Sequence, residues 1–346
     1  MRERVTRLTH VALIAYGGVR KACNMTQIVV VLSTIPRLSH HLRLRLPNLR
    51  VSDVSPGQAD ILSKLNAAEI LLADCDLLIP YINKLTSVKW IQATWAGLDK
   101  LIPHIQNTPK NYVLTRFSGE FFGLAMSEYV IAQIVNFERD QRQQYENQKL
   151  AVWKQEGKIK DHRYIRELTI GILGLGTIGK IIAEKLKLFG ATIWGMTNST
   201  PKEKLSYLDE HRTVDSLQDI LENCDYIINI LPSTQNTEGL LNGTVLQHCK
   251  AKNSIFINIG RGSVIKEADL INALEQKWIS AAILDVFEKE PLPKESKLWN
   301  FPQVTISPHN SGVTNLRDVV EQFTANYTRY VKGESMMNMF DFNKGY

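Results

Sequence analysis

Three side chains of complementary chemistry, a guanidinium, a carboxylate and an imidazole, each follow an apolar run with strand character. They are Arg261, Glu290 and His309, and the runs that precede them are Ile255–Ile259, Ala281–Asp285 and Val304–Ser307. In an open parallel sheet, ligands bind beyond the carboxyl ends of the strands. We therefore expect the three side chains to meet at one edge of a sheet.

This set of groups suits the reduction of a 2-keto acid. Arg261 could hold the substrate carboxylate in a planar, bidentate contact. The carbonyl oxygen gains negative charge as hydride arrives, and His309 could donate a proton to it near neutral pH. Glu290 could orient the imidazole and favour its protonated form. Taken singly, each of the three could instead be a surface charge or part of a structural ion pair.

A glycine-rich turn lies between a strand-like run and an amphipathic helix. Gly174 would make the tight turn, Gly176 would let a pyrophosphate approach the backbone, and Gly179 would let helix and strand pack closely. The phosphates would lie on the free N–H groups of the helix start. The pattern predicts a dinucleotide site at Gly174, Leu175, Gly176, Thr177, Ile178 and Gly179, and a purely structural turn is the alternative.

The loop after the second strand of this unit should select the cofactor. NAD-binding sites usually place an acid about 20 residues beyond the glycines, on the ribose 2′-OH. Here the loop reads Thr197-Asn198-Ser199-Thr200-Pro201-Lys202, with no acid, and Lys204 follows. Its polar side chains could donate hydrogen bonds to a 2′-phosphate, and its lysines add positive charge. NADP(H) is therefore predicted over NAD(H), and an NAD enzyme that uses backbone contacts is the alternative.

The elements that would position these groups are visible as alternating apolar runs. Near the start of the chain we predict strands at Ile28–Leu32, Leu49–Val54 and Val88–Thr94, with helical spacing over Ser63–Leu72. Phe121–Lys149 has few breakers and predicts one long helix. Later strand cores are Thr169–Leu173, Thr192–Met196, Tyr226–Ile230 and the three runs named above. Such continuous apolar runs, separated by helices, are typical of a parallel sheet covered on both faces.

Composition narrows the class of protein. The 346 residues suffice for two domains, and the formal net charge of +6 is spread along the chain without a long basic run. No zinc-finger spacing or membrane-length apolar run is present, so we expect neither nucleic acid nor a membrane as partner. The four cysteines, Cys23, Cys75, Cys224 and Cys249, are scattered, which fits a reducing compartment without a metal site.

The first 24 residues are rich in arginine and contain Glu3 as their single acid. Such a composition is typical of a mitochondrial presequence, but an untargeted extension or an upstream start codon would look the same. The expected location is therefore cytoplasmic, or mitochondrial if residues 1–24 are a presequence.

From about Ile28 to about Gly333 the chain resembles the D-isomer-specific 2-hydroxyacid dehydrogenases, and among them the glyoxylate/hydroxypyruvate reductases. The resemblance rests on several ordered motifs: Trp90–Asp99, Ser127-Glu128-Tyr129, the glycine turn, Leu231-Pro232-Ser233-Thr234 and the segments around Arg261, Glu290 and His309. Ser127 stands where alanine is usual in this family. Asn310-Ser311 replaces a more apolar pair, which could alter substrate or cofactor contacts.

The resemblance implies roles for particular residues. It places the family's catalytic set on Arg261, Glu290 and His309, the carboxylate-binding turn on Ala96 and Gly97 beside Trp95, and the contact with the nicotinamide amide on Asp285. Trp153 would lie near the substrate. Further cofactor contacts are implied at Leu231, Pro232, Thr237, Ile259, Gly260, Arg261, His309, Ser311 and Gly312.

The same resemblance implies an architecture and an assembly. The fold would be α/β, with a Rossmann-type doubly wound parallel sheet inserted into a smaller flavodoxin-like α/β substrate domain. The substrate domain would comprise residues 25–118 and 309–346, and the dinucleotide-binding domain residues 119–308. Members of this family are usually homodimers in which the long helix contributes to the interface.

Three functions follow from these expectations. The first is the reduction of a small 2-keto acid, of the glyoxylate or hydroxypyruvate kind, to the D-2-hydroxy acid with NADPH. The second is an NAD-dependent D-2-hydroxyacid dehydrogenase with another substrate. The third is a dinucleotide-sensing protein similar to transcriptional corepressors of the same fold.

Overall fold

Two parallel β-sheets organise the protein. The structure, a computed structural model, describes residues 27–105, 111–198, 203 and 205–342. The expectations for residues 1–24 and for Ser199, Lys202 and Lys204 therefore fall outside the described residues.

The smaller sheet has five strands in the order β2-β1-β3-β4-β5, which is the flavodoxin-like order. Its strands are β1 (Ile28–Leu32), β2 (Arg50–Asp53), β3 (Ile70–Ala73), β4 (Trp90–Ala93) and β5 (Val113–Thr115). The helices along this part of the chain are α1 (Leu38–Arg45), α2 (Ile61–Asn66), α3 (Cys75–Leu78) and α4 (Ile102–Ile105).

The larger sheet has seven strands in the order β12-β11-β10-β9-β6-β7-β8. Its strands are β6 (Thr169–Leu173), β7 (Thr192–Met196), β8 (Glu210–Arg212), β9 (Tyr226–Asn229), β10 (Ile255–Asn258), β11 (Ala281–Leu284) and β12 (Val304–Ile306). The order reverses between β6 and β9, as it does in Rossmann folds, so a ligand crevice should open at that point.

Further helices follow along the chain, and some of them cover the larger sheet. They are α5 (Glu120–Glu138), α6 (Gln141–Lys149), α7 (Thr177–Leu188), α8 (Leu217–Asn223), α9 (Glu267–Glu275) and α10 (Leu316–Lys332). Short 3₁₀ segments occur at Ile82–Lys84, Gly157–Ile159, Ile165–Glu167, Val214–Ser216, Val245–Cys249, Gly262–Val264 and Lys297–Asn300.

The register of the larger sheet aligns the ends of its central strands. Leu173 pairs with Asn229, Asn229 with Asn258, Asn258 with Leu284, and Leu284 with Ile306. Because the strands are parallel, the loops that follow them leave the sheet from one edge. This edge carries the glycine turn and the segments of Arg261, Glu290 and His309, as the sequence predicts.

Burial explains why these strands are continuous apolar runs. Strands β9, β10 and β11 are buried at every position, because helices cover both faces of the sheet. The cores on the two faces meet across these strands, since Ile227 and Phe256 belong to one cluster and Ile228 and Ile257 to the other.

Two predicted helices are wrong in their extent. The segment Phe121–Lys149 is not one helix, because Asp140 adopts a left-handed conformation with φ 49° and its carboxylate accepts a hydrogen bond from Gln143 N. Asp140 therefore ends the run of α5 and caps α6. The helical spacing over Ser63–Leu72 continues only to Asn66, and Ile70–Ala73 is the buried strand β3. The short strands β5 and β8 were not predicted.

The predicted domain boundaries remain a proposal, which the packing of the C-terminal segment supports. In α10, Val319, Val320 and Phe323 pack in one cluster with Trp90 of the smaller sheet. Phe340 packs with Leu114 on the opposite face of the smaller sheet. The chain therefore returns to the first sheet after completing the second.

None of the helices in the described part of the chain is long and apolar enough to cross a lipid bilayer.

Candidate active site

Arg261 follows β10 and extends toward the smaller sheet. Its Nε and Nη2 donate hydrogen bonds of 2.9 and 2.6 Å to Asp99 Oδ2, and its Nη1 donates one of 2.7 Å to the Gly260 carbonyl. Asp99 lies in the loop after β4, so this ion pair joins the two sheets of the protein. A guanidinium has five N–H groups, and the two that point forward from Nη1 and Nη2 have no acceptor among the described residues. Arg261 thus keeps one bidentate edge for an anion.

Gly97 lies directly against this guanidinium. A Cβ built on Gly97 would lie 2.2 Å from Arg261 Nη2 and 3.0 Å from Asp99 Oδ2. Only glycine leaves room for the arginine here, because real Cβ contacts are never so short. The predicted carboxylate-binding turn and Arg261 therefore belong to one site, with Trp95 and Ala96 directly preceding Gly97.

His309 and Glu290 form the second part of the site. The distance from His309 Nδ1 to Glu290 Oε2 is 2.7 Å, and Glu290 Oε1 accepts a 3.0 Å hydrogen bond from Phe287 N. An ionised carboxylate only accepts hydrogen bonds, so Nδ1 carries the proton in this contact. Nε2 has no partner among the described residues, and 55% of the imidazole is exposed. Nε2 is therefore accessible to a ligand, and the role of His309 as a proton donor remains a prediction.

Asp285, which is fully buried, fixes the loop that carries His309. Its Oδ1 accepts hydrogen bonds from Ser307 Oγ at 2.6 Å and Asn310 N at 2.8 Å, and its Oδ2 accepts one from Ser311 N at 2.9 Å. The Asp285 carbonyl accepts from His309 N, which holds His309 at φ 51°, a conformation that few non-glycine residues adopt. The predicted contact of Asp285 with the nicotinamide amide remains a prediction.

A tyrosine on α5 extends this network. Tyr129 OH lies 2.6 Å from Ser307 Oγ, and since Ser307 must donate to the Asp285 carboxylate, Tyr129 is the donor to Ser307. Burial, aided by the charge of Asp285, raises the pKa of Tyr129, so its phenol keeps the proton that this contact needs. The chain of contacts links the long helix to the His309 loop.

Asp99 interacts electrostatically with both parts of the site, Arg261 and His309. Burial alone would raise the pKa of Asp99, but hydrogen bonds from Arg261 and the positive charges of Arg261 and His309 lower it below its usual value. Asp99 is therefore ionised near neutral pH. Arg261 and His309 come from separate loops, and both lie near Asp99.

The glycine turn has the geometry of a dinucleotide cradle. Gly174 has φ 106°, and a Cβ on Gly179 would lie 1.9 Å from the Gly174 carbonyl oxygen, so helix α7 packs tightly on the turn. A Cβ on Gly176 would meet nothing within 4 Å, which leaves open space at the first turn of α7. The free N–H groups there, at Thr177 and Ile178, can bind phosphate oxygens. These residues fit a pyrophosphate.

The opposite wall of the crevice is built on two asparagines that the sequence did not single out. Asn229 Nδ2 donates to Asn258 Oδ1 at 2.9 Å, and both side chains are buried. Asn229 Oδ1 accepts from Leu231 N, and Asn258 accepts from Gly260 N and donates to the Arg261 carbonyl. The side chains of the pair thereby fix the predicted cofactor residues Leu231, Gly260 and Arg261.

Three further predicted cofactor residues, Thr237, Thr197 and Asn198, lie in loops that follow strands of the larger sheet. Thr237 Oγ1 donates to the Pro232 carbonyl at 2.6 Å, which closes the loop after β9. At the ribose end, Thr197 Oγ1 lies 2.8 Å from His211 Nε2, and Asn198 is exposed.

Packing against α5 explains two of the predicted ligand contacts, Ser311 and Gly312. Ser311 is buried against Met126 of α5, and a Cβ on Gly312 would meet Met126 and Phe122. Trp153 follows α6 and is 92% exposed. Ser127, the departure in the Ser-Glu-Tyr motif, donates to the Gly123 carbonyl within α5. The ligand contacts of Ser311, Gly312 and Trp153 remain predictions.

Fold and site together define a dinucleotide-dependent oxidoreductase with two Rossmann-like units. Residues 131–311 match the family described as D-isomer specific 2-hydroxyacid dehydrogenase, NAD binding domain. The chain belongs to this family of NAD(P)-dependent enzymes, which confirms the resemblance stated from the sequence.

Relatives agree with this assignment. A glyoxylate/hydroxypyruvate reductase A of Yersinia enterocolitica is 33% identical over 267 residues, which cover 75% of this chain and 82% of the relative. The crystal structure of a D-isomer specific 2-hydroxyacid dehydrogenase family protein from Aeromonas salmonicida is 32% identical, with a TM-score of 0.80 over 92% of this chain and 99% of that one.

A third relative carries a bound cofactor. The structure of an NADPH-dependent glyoxylate/hydroxypyruvate reductase from Sinorhizobium meliloti, in complex with NADP and sulfate, is 25% identical with a TM-score of 0.78. It covers 92% of this chain and all of that one.

Proposed function

We propose that the protein reduces a small 2-keto acid, of the glyoxylate or hydroxypyruvate kind, to the D-2-hydroxy acid and prefers NADPH as reductant. The observation that carries the proposal is the pairing of two groups at one sheet edge: a guanidinium with a free bidentate edge, and an imidazole whose Nδ1 is held by Glu290. The relatives named above, glyoxylate/hydroxypyruvate reductases, support the same substrate class.

In this proposal Arg261 binds the substrate carboxylate through its two forward N–H groups, and backbone groups of Ala96 and Gly97 complete that contact. Asp99 holds the other edge of the guanidinium, so the arginine is oriented before the substrate arrives. Preorganised donors of this kind cost little reorganisation when the substrate binds.

His309 is the proton donor. Reduction places negative charge on the former carbonyl oxygen, and His309 Nε2 is the exposed ring nitrogen from which a proton can reach it. Glu290 accepts the hydrogen bond of the other ring nitrogen and thereby orients the imidazole for the transfer. The Asp285 network holds the backbone of this loop in place.

The dinucleotide, when bound, supplies the hydride, and Gly174, Gly176, Thr177 and Ile178 would hold its phosphates. The preference for NADPH rests on Thr197–Lys202, because this loop offers donors and no carboxylate that would repel a 2′-phosphate. The bound NADP of the Sinorhizobium relative supports this choice.

The test is a panel of 2-keto acids followed at the nicotinamide absorbance with NADPH and with NADH. We expect turnover of glyoxylate and hydroxypyruvate, with a higher kcat/KM for NADPH. Hydroxypyruvate gives a chiral product, so chiral chromatography of the glycerate should return the D-isomer. No turnover of any 2-keto acid would contradict the proposed activity, and a higher kcat/KM with NADH would contradict the cofactor choice alone.

A further inference from the structure

A second arginine, Arg116, lies beside the Asp99–Arg261 pair. It directly follows β5, and Phe117 N donates a 3.0 Å hydrogen bond to the Trp95 carbonyl, so Arg116 lies next to the loop that carries Gly97 and Asp99. No catalytic motif singles out this residue in the sequence.

Strand alternation tells which way the Arg116 side chain points. Leu114 packs in the cluster that contains Leu98 and Leu101, whereas Thr115 bonds to Trp90 on the opposite face of the sheet. Successive side chains of a strand alternate between faces, so Arg116 shares the face of Leu114. That is the face on which the segment from Gly97 to Leu101 lies.

Among the described residues, the guanidinium of Arg116 has no hydrogen-bond or ion-pair partner of its own. Its Nε is buried and makes no hydrogen bond, and none of the described residues forms an ion pair with it. Asp99, the acid that acts on it, is already bonded to Arg261. Buried guanidinium donors without an acceptor are costly and rare in native proteins, which indicates that an acceptor arrives with a ligand.

The charges around Arg116 support the inference that a ligand supplies its acceptor. Burial lowers the pKa of Arg116, the charge of Arg261 lowers it further, and Asp99 opposes both. The two guanidinium groups therefore repel each other across a space that contains one carboxylate. With two guanidinium groups and one carboxylate, Arg116, Arg261 and Asp99 together carry one uncompensated positive charge. A ligand with one negative charge would balance it.

We propose that Arg116 is a second guanidinium of the substrate site and that it binds, together with Arg261, the carboxylate of a 2-keto monoacid. The proposal rests on the proposed function. In it Asp99 neutralises Arg261, which orients the substrate, and Arg116 supplies the net attraction for the anion. Arg116 should therefore determine KM for every 2-keto monoacid, including glyoxylate, which has no side chain for the protein to contact.

The experiment compares wild type, Arg116→Gln, Arg116→Lys and the control Arg50→Gln, which removes the same charge from an exposed position. For each we would measure kcat and KM with glyoxylate, 2-ketobutyrate and the diacid 2-ketoglutarate. The affinity for oxamate, a carboxylate that is not reduced, would be measured by calorimetry with NADPH present. Thermal unfolding of each variant would show whether Arg116 also supports the fold.

For Arg116→Gln we expect KM of both monoacids and Kd of oxamate to rise by about tenfold or more, the size expected for a lost charge-assisted hydrogen bond. The kcat should change much less. Tm should not fall, because the variant removes an unpaired buried charge. Arg116→Lys should recover part of the affinity, since it keeps the charge but not the planar fork. Arg50→Gln should behave as wild type.

Unchanged KM and Kd in Arg116→Gln would overturn the proposal. So would a defect confined to 2-ketoglutarate, which would mean that Arg116 contacts a distal group instead. A fall in Tm together with a lower kcat and a higher KM would instead assign Arg116 a structural role. If wild type reduced no 2-keto acid, the proposed function would fail, whereas oxamate binding would still test the anion site.

Discussion

The imidazole–carboxylate contact in this site has a counterpart on the protein surface. His309 pairs with Glu290 at 2.7 Å, and His248 pairs with Glu222 at 3.1 Å. The first pair lies on the loop fixed by Asp285, at the edge that carries Arg261. The second lies away from that edge, between the segment 245–249 and α8. Similar chemistry at the two positions allows a matched comparison of their roles.

We predict that His309→Gln lowers kcat for 2-keto acid reduction by about 10²- to 10⁴-fold, the usual contribution of a positioned general acid. KM should change less, because Arg261 still binds the carboxylate. Steady-state kinetics with NADPH checks the prediction. His248→Gln removes the surface imidazole and should leave kcat unchanged. A His309→Gln enzyme with a normal kcat would show that another group protonates the product.

A second prediction concerns the contact between Gly97 and Arg261. In Gly97→Ala the new methyl group would displace the guanidinium, because it would lie 2.2 Å from Nη2. The arginine can move, so the fold should survive, but the carboxylate should lose its bidentate partner. We expect KM for glyoxylate to rise about tenfold or more, as for a lost hydrogen bond to a charged group.

The control for this change is Gly57→Ala. A Cβ on Gly57 meets no atom within 4 Å, but φ is 80°, so alanine there is strained without touching the site. It should lower Tm and leave KM unchanged, whereas Gly97→Ala should raise KM with little change in Tm. Equal KM values for Gly97→Ala and wild type would mean that Arg261 does not bind the substrate in this position.

A site residue could be predicted from the sequence only where the pattern that marks it lies in the neighbouring residues of the chain. Arg261, Glu290 and His309 follow recognisable strands, so the rule that ligands bind at strand ends located them together. Asp99 and Arg116 act through contacts between segments distant in sequence, such as the Arg261–Asp99 ion pair. Spacing along the chain carries no signal for such contacts, and the roles of both residues became visible only in three dimensions.

At the scale of elements, a buried ionic cluster joins the end of α5 to the start of two strands. Glu138 accepts two hydrogen bonds from Arg163 and one from Tyr226 OH, and Asp225 accepts one from Arg163. The Glu138 side chain is only 5% exposed. Burial would raise the pKa of Glu138, but its bonds to Arg163 and Tyr226 lower it below the usual value.

We predict that Arg163→Met destabilises the protein by about 3 kcal/mol near neutral pH, toward the low end for breaking a buried pair because Arg163 is partly exposed. Urea unfolding provides the measurement. Arg45→Met breaks the exposed Arg45–Glu321 pair instead and should cost less than about 1 kcal/mol. Equal effects of the two substitutions would contradict a special role for the cluster.

The same cluster predicts a pH dependence. A carboxylate whose pKa is lowered by folding stabilises the protein above its unfolded pKa, and this contribution disappears as the pH falls through the folded value. The stability difference between wild type and Arg163→Met should therefore be full at pH 7 and shrink as the pH falls below about 4.3, the pKa of glutamate in an unfolded chain, and through the lowered pKa of Glu138. A difference that stayed constant down to pH 3 would exclude Glu138 as its source.

Element boundaries show where sequence patterns lose their meaning. Six of the seven strands of the larger sheet were predicted to within one residue at each end, because burial leaves mostly apolar runs. The break at Asp140 was missed because the segment has few breakers, although aspartate is a favoured N-cap residue and its left-handed conformation marks the break. Strand β8, Glu210–Arg212, is polar because it lies at the edge of its sheet, so it lacks the apolar signal.

At the scale of the whole molecule, the two sheets contact each other through the site itself. The Asp99–Arg261 ion pair spans from the loop after β4 to the loop after β10, and Thr314 Oγ1 donates to the Thr94 carbonyl nearby. A substrate bound to Arg261 would thus contact groups from both sheets. Substrate binding should therefore stabilise the contact between them.

A homodimer remains our proposal, and the surface at the end of α6 supports it. Helix α6 has no buried residues, and large apolar side chains are exposed along it and just beyond. They are Tyr145 at 57%, Leu150 at 73%, Val152 at 37% and Trp153 at 92%. Contiguous apolar exposure of this kind is typical of a protein–protein interface.

We predict that the wild-type protein elutes, in light scattering coupled to gel filtration, at about twice the 39.3 kDa of one chain. The double variant Leu150→Ser/Trp153→Ser should shift to the monomer at low micromolar concentration, because it removes the most exposed apolar groups of the patch. Leu188→Ser, which alters a leucine 79% exposed on α7, should remain dimeric. A monomeric wild type would refute the dimer, and a dimeric double variant would mean that another surface forms the interface.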